Sequence, residues 1–202
     1  MFEDTNWKTV GAEILGTFFL VFFGVSAVTN NVAIIDDVNT NIILGFITLS
    51  LTLFVLVHIL GPVSGCHLNP VITIPTFLSD KMDRDTTIAY IGGQIIGACL
   101  GFYLFDLINP GTNDSILDGD SAILLAAAVG TTFFVTSLLT SQDPASIGAT
   151  LFIVSSTAFG DVNPGVSLGN MIVGNIDFMF FGIVGSLIGC LAGWAIKENI
   201  ID

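Results

Sequence analysis

Ser64-Gly65-Cys66-His67-Leu68-Asn69-Pro70-Val71 decides the fold, because it starts a helix inside a region whose surroundings read as membrane interior. Asn is a favoured helix N-cap and Pro the favoured first helical residue. From Pro70 the apolar run reaches only Leu78 before Ser79-Asp80-Lys81 interrupts it. That is too short to cross a bilayer, which takes about 20 residues. The same pattern returns in Phe159-Gly160-Asp161-Val162-Asn163-Pro164-Gly165, where the apolar run extends from Pro164 to Val173. Each dipeptide predicts a half-helix that re-enters the membrane, its N-terminus at depth and its free backbone groups facing a cavity.

The rest of the chain fits that reading. Of its 202 residues 52% are hydrophobic and only 10% charged, and the mean hydropathy is +0.88. Such a composition lies outside the range of water-soluble domains. Uncharged or nearly uncharged segments at 9–29, 42–60, 87–108, 121–140, 144–159 and 178–196 predict six spans, the fifth of them short. Glu13 and Asp106 fall inside the first and third.

The formal net charge of -13 comes from acids concentrated in loops, as in Asp80–Asp85 and Asp114–Asp120. With six spans, the four basic residues Lys8, Lys81, Arg84 and Lys197 fall on one side, so both termini are expected in the cytoplasm. Phe2-Glu3-Asp4 lacks a basic leader region, and the first span is expected to act as its own insertion signal. Four basic against seventeen acidic residues leave no footprint for nucleic acid. Cys66, Cys99 and Cys190 show no metal or disulfide spacing and read as small packing residues, so no cofactor is expected. His58 reads likewise as a packing residue.

The two halves echo each other. Gly16-Thr17-Phe18-Phe19 in the first span returns as Gly130-Thr131-Thr132-Phe133-Phe134 in the fourth, and Gly93, Gly97 and Gly101 return as Gly185, Gly189 and Gly193. Three spans per half, 1–110 and 111–202, make the second half enter the membrane upside down. The expected fold is therefore an all-α membrane protein with six transmembrane helices plus two re-entrant half-helices in an inverted 3+3 repeat. The glycine rows are a packing device for closely approaching helices.

Ser64 to Thr73 is similar to the first box of the aquaporin and aquaglyceroporin (major intrinsic protein) family, Ser-Gly-x-His-x-Asn-Pro-Ala-Val-Thr. Ala12-Glu13-Ile14-Leu15-Gly16-Thr17-Phe18 resembles its first-helix motif, and Asp161 to Leu168 a degraded second box. The resemblance implies a non-enzymatic, passive channel for water and small uncharged solutes, assembled as a homotetramer in the lipid bilayer. Asn69 and Asn163 would be the central pore donors, beside the positive ends of half-helices starting at Pro70 and Pro164. Carbonyls of residues 64–68 and 159–162 would supply acceptors, Glu13 would brace the first loop and His67 would position it.

Where the family has Arg in its second box this chain has Val166, and where the second half would repeat Glu13 it has Ala127. A selectivity filter of Leu49, Ser155, Gly160 and Val166 would be wide and apolar, favouring glycerol-like polyols, urea-like solutes or gases alongside water. Asp161 would stand at the pore mouth, as a cation attractor or a solvated loop acid. Other classes stay open. An inverted-repeat secondary transporter would need coupling charges such as Glu13 and Asp106. An intramembrane aspartyl protease would use Asp106 and Asp161, although Ala158 stands where its motif has Gly. A non-conducting structural membrane protein would fit the shorter second half.

Overall fold

Capping chemistry sets most helix starts in the computed structural model, which describes residues 2–29, 38–108, 120–158, 162–174 and 180–201. The Asn6 side chain accepts the Lys8 N–H at 3.1 Å and opens α1, Trp7–Phe19. This helix continues through a π-helical stretch, Leu20–Val25, into α2, Ser26–Thr29. Then follow α3, Val38–Ser64, and the short α4, Pro70–Leu78. Asp83 caps α5, Arg84–Ile108: its carboxylate accepts the Thr86 N–H at 2.9 Å and the Thr86 hydroxyl at 2.6 Å. Those bonds hold the Asp83 carboxyl below its ordinary range. The second half brings α6, Asp120–Thr140, and α7, Pro144–Ala158, the latter capped by Asp143 accepting the Ser146 N–H at 2.8 Å. It ends with α8, Pro164–Ile172, and α9, Phe180–Ile196, which runs on as π-helical Lys197–Ile201.

Five described segments are long and apolar enough to cross a membrane: Trp7–Val25, Thr40–Ser64, Arg84–Ile108, Ile123–Thr140 and Phe180–Ile201. The 15-residue α7 is the sixth crossing. At 1.5 Å per residue it reaches about 22 Å, short of the roughly 30 Å hydrocarbon layer. The two half-helices occupy the positions expected from their Asn-Pro starts. The boundary between the repeats at 110/111 lies outside the described residues.

The sequence echo is a physical repeat. A Cβ on Gly97 of α5 would collide with the Ile14 carbonyl oxygen of α1 and stand 3.0 Å from Phe18 N and Thr17 Cβ. A Cβ on Gly189 of α9 would collide with the Ala128 carbonyl oxygen of α6 and stand 3.0 Å from Thr132 N and 2.8 Å from Thr131 Cβ. One turn further on, Gly101 faces Val21 and Phe18, and Gly193 faces Val135 and Thr132. Each repeat thus locks its first and third spans backbone to backbone. The halves meet where α3 crosses α7, with Gly148 seated against the Ser50 carbonyl and Phe54. The main apolar core, including Leu20, Leu53, Leu56, Phe134, Leu151 and Val154, lies among these crossings. His58 is exposed on α3 rather than packed inside.

Thr17 and Thr131, equivalent in the two repeats, are fully buried and their hydroxyls have no hydrogen-bond partner among the described residues. By contrast Thr132 and Thr136 donate to the carbonyl one turn back, each at 2.7 Å. An unpaired buried hydroxyl costs about 1–3 kcal/mol, so a same-shaped apolar side chain should fit at least as well. Thr17→Val and Thr131→Val are expected to leave thermal unfolding in detergent unchanged or shift it upward. Gly97→Ala and Gly189→Ala, which force helices apart, should cost about 2–3 kcal/mol in the same assay.

Candidate functional site

The two half-helices begin against each other. Asn69 is extended, and its side-chain Oδ1 accepts the Val71 N–H at 3.1 Å while its carbonyl accepts the Ile72 and Thr73 N–H groups. Asn163 does the same for Val166 at 3.2 Å and for Ser167. Each carboxamide nitrogen then reaches across. Asn69 Nδ2 donates to the Val162 carbonyl at 2.7 Å, and Asn163 Nδ2 donates to the Leu68 carbonyl at 2.9 Å. Gly165 abuts Pro70, where a Cβ would stand 3.0 Å from Pro70 Cδ. Reading the sequence alone aims both carboxamides at a permeating molecule. The structure commits one N–H of each to the opposite loop, whose last carbonyl before the cap has no helical partner.

The loop leading into α4 is tightly wound: Gly65, Cys66 and Leu68 have φ of 82, 52 and 51°. Left-handed conformations at non-glycine residues cost about 1–3 kcal/mol each and persist only where surroundings enforce them. Glu13, fully buried on α1, is what enforces them. Its Oε1 accepts the Ser64 hydroxyl at 2.7 Å and the His67 N–H at 3.0 Å. Its Oε2 accepts the Leu68 N–H at 2.7 Å and Gln94 Nε2 at 2.9 Å. Gln94 also donates to Thr73 Oγ1 at 3.0 Å, and Thr73 Oγ1 lies 3.1 Å from His67 Nδ1. The Tyr90 hydroxyl donates to the Ser64 carbonyl at 3.0 Å. Between these anchored ends, the carbonyls of Gly65, Cys66 and His67 accept no hydrogen bond from other described residues.

The second loop is built differently. Ala127 is fully buried at the place equivalent to Glu13, and Ser186, at the place equivalent to Gln94, donates to its own helix at Gly182 O, 2.9 Å away. The second half-helix leans on the other repeat instead. Gly169 of α8 seats on Ala98 and Cys99 of α5, and Cys99 Sγ donates to the Gly169 carbonyl at 3.6 Å. Reciprocally, Cys190 Sγ of α9 donates to the Val71 carbonyl of α4 at 3.4 Å. Two of the three cysteines thus join each half-helix to a long helix of the opposite repeat. Neither their types nor their places announced it, since Cys99 stands two residues after Gly97 and Cys190 only one after Gly189.

The proposed filter positions fall in different surroundings. Leu49 is half-buried, with Cδ1 over Gly24, and packs on the main core. Val166 is buried in a second cluster with Val21, Ala98 and Phe102. Ser155 is half-buried on α7. Gly160 and Asp161 lie outside the described residues. Asp106 is half-buried near the end of α5 and has an interaction of its own. No group of three His, Cys, Asp or Glu side chains suited to a metal occurs among the described residues.

Removing the Glu13 carboxylate leaves two buried backbone N–H groups, a hydroxyl and a carboxamide without their acceptor. At about 1–3 kcal/mol per group, Glu13→Ala is expected to prevent folding or to lower the unfolding temperature in detergent by more than about 10 °C. Glu13→Gln, which retains one acceptor oxygen, should be milder in the same measurement.

Comparison with known proteins places this geometry. The model of the Major intrinsic protein family matches residues 2–197. Aquaporin NIP1-1 of Oryza sativa subsp. japonica is 31% identical over 212 residues, covering 94% of this chain and 72% of that protein. Aquaporin A of Dictyostelium discoideum is 28% identical over 194 residues, covering 84% and 70%. The X-ray structure of the aquaglyceroporin from Plasmodium falciparum shares the fold, with a TM-score of 0.76 over 96% of both chains at 19% identity. With a family match that spans nearly its whole length, the chain belongs to the major intrinsic protein family of membrane channels for water and small solutes.

Proposed function

We propose that this channel passes glycerol-sized uncharged solutes as well as water, through a path whose outer constriction carries no fixed charge. One observation supports the reading above the others. Val166, in the second-box position after Asn163-Pro164-Gly165, is an apolar side chain buried in one cluster with Val21, Ala98 and Phe102. A guanidinium there would present a rigid fork of donors and a permanent charge. A valine presents neither, so solutes meet a wider, apolar wall formed by Leu49, Ser155, Gly160 and Val166.

Selectivity against ions then falls to the centre. Asn69 and Asn163 stand at the N-termini of α4 and α8, whose dipoles together place positive potential there. A water or hydroxyl at this point turns its oxygen toward the donors, which interrupts a proton wire and disfavours cations. On the inner side, the carbonyls of Gly65, Cys66 and His67 offer acceptors, with Glu13 and His67 fixing the loop that carries them. Asp161, two residues before Asn163 in the sequence, is assigned to the pore mouth. The working unit is a homotetramer with both termini cytoplasmic, the orientation that puts Lys8, Lys81, Arg84 and Lys197 on the inner side.

Stopped-flow light scattering of proteoliposomes tests the reading. The native chain is expected to speed both osmotic water flow and glycerol entry over empty liposomes. Val166→Arg and Leu49→Phe should reduce glycerol entry about tenfold or more while water flow falls less, since small changes in a constriction are worth about 1–3 kcal/mol of discrimination. Folded native protein that moves neither solute would falsify the passive channel.

A further inference from the structure

The first span carries a feature that filter positions on α3, α7 and the second loop leave unexplained: its π-helical stretch, Leu20–Val25. Such stretches recur at functional sites, because the widened turn re-aims side chains. Here it meets one apolar filter position directly and shares a buried cluster with the other. Gly24 faces Leu49, and Val21 belongs with Ala98 and Phe102 to the cluster that holds Val166. A Cβ on Gly24 would stand 2.9 Å from Leu49 Cδ1 and 3.2 Å from Leu49 Cα. The end of the Leu49 side chain therefore occupies the space that Gly24 leaves empty. The nearby Gly45 differs in kind. Its Cβ would meet backbone, 2.7 Å from the Ala27 carbonyl oxygen and 2.9 Å from Val28 Cα, so its role is to let α2 and α3 approach.

We propose that Gly24 is a positioning residue for solute selection: it provides the niche that holds Leu49 against the first span and so sets the width of the outer constriction. The inference rests on the reading of Leu49 as a wall of the path. The first obstacle to a Cβ at position 24 is the far end of a flexible side chain, which can rotate. With the niche filled, Leu49 is displaced away from the first span, and where it walls the path the permeating solute loses the room.

The test compares the native chain, Gly24→Ala, Leu49→Ala and the double variant in proteoliposomes, scoring the ratio of glycerol entry to water flow. Gly11→Ala, where a Cβ meets nothing within 4 Å, is the control for a neutral substitution in the same helix. Gly24→Ala is expected to lower the ratio about tenfold, the scale of a methyl group in a constriction. The double variant should restore it, because Leu49→Ala removes the displaced atoms. A damaged fold would depress both fluxes together and would not be rescued. An unchanged ratio in Gly24→Ala, or a double variant as selective as Gly24→Ala, overturns the role of Gly24 while the channel stands. If the native chain passes water but no glycerol, the wide-filter reading fails, and with it any selection that Gly24 could set.

Discussion

A backbone group at the middle of a membrane has no water to bond, and an unpaired one costs several kcal/mol. Two helices of this chain begin there, and the rest of the structure is arranged around that constraint. Each Asn closes part of the deficit on its own helix, accepting an N–H from the first turn, and then covers the last carbonyl of the opposite loop. The carboxamide is suited to both tasks because it holds an acceptor and two donors on one rigid group. Neither half-helix start is complete without the other, so the two repeats are joined by these bonds.

The halves solve the remaining problem unequally. In the first half, Glu13 gathers four donors and holds a strained loop. In the second, Ala127 and Ser186 stand in the corresponding places, and α8 is seated on α5 through Gly169, Cys99 and the cluster around Val166. A buried carboxylate brace thus belongs to one side of the pathway, and apolar packing across the repeats supports the other. Val166 and Ala127 are both uncharged, so these two positions of the second half are electrically neutral.

Much of this was legible in the sequence, and the reasons are local. The Asn-Pro starts, the lengths of the apolar runs and the paired glycine rows are properties of neighbouring residues, and the structure reproduces them to within a few positions. That Glu13 needs donors followed from a carboxylate in an apolar span, and its role as a brace from the resemblance to the family's first-helix motif. The π-helical stretch had no such signal, since Leu20–Val25 reads as ordinary apolar helix. Nor did the thiol contacts, because Cys99 with Gly169 and Cys190 with Val71 come together only when the repeats close on each other.

By itself, then, the sequence determined where helices start and stop, how many cross, and that two of them cannot. These follow from capping, from hydropathy and from the fixed thickness of the bilayer. Only the tertiary structure decided which carbonyl each carboxamide bonds, which repeat carries α8, and that Leu49 rests in the space over Gly24. Those outcomes depend on distances between residues remote in the chain, which are settled by how closely glycine faces let the helices pack.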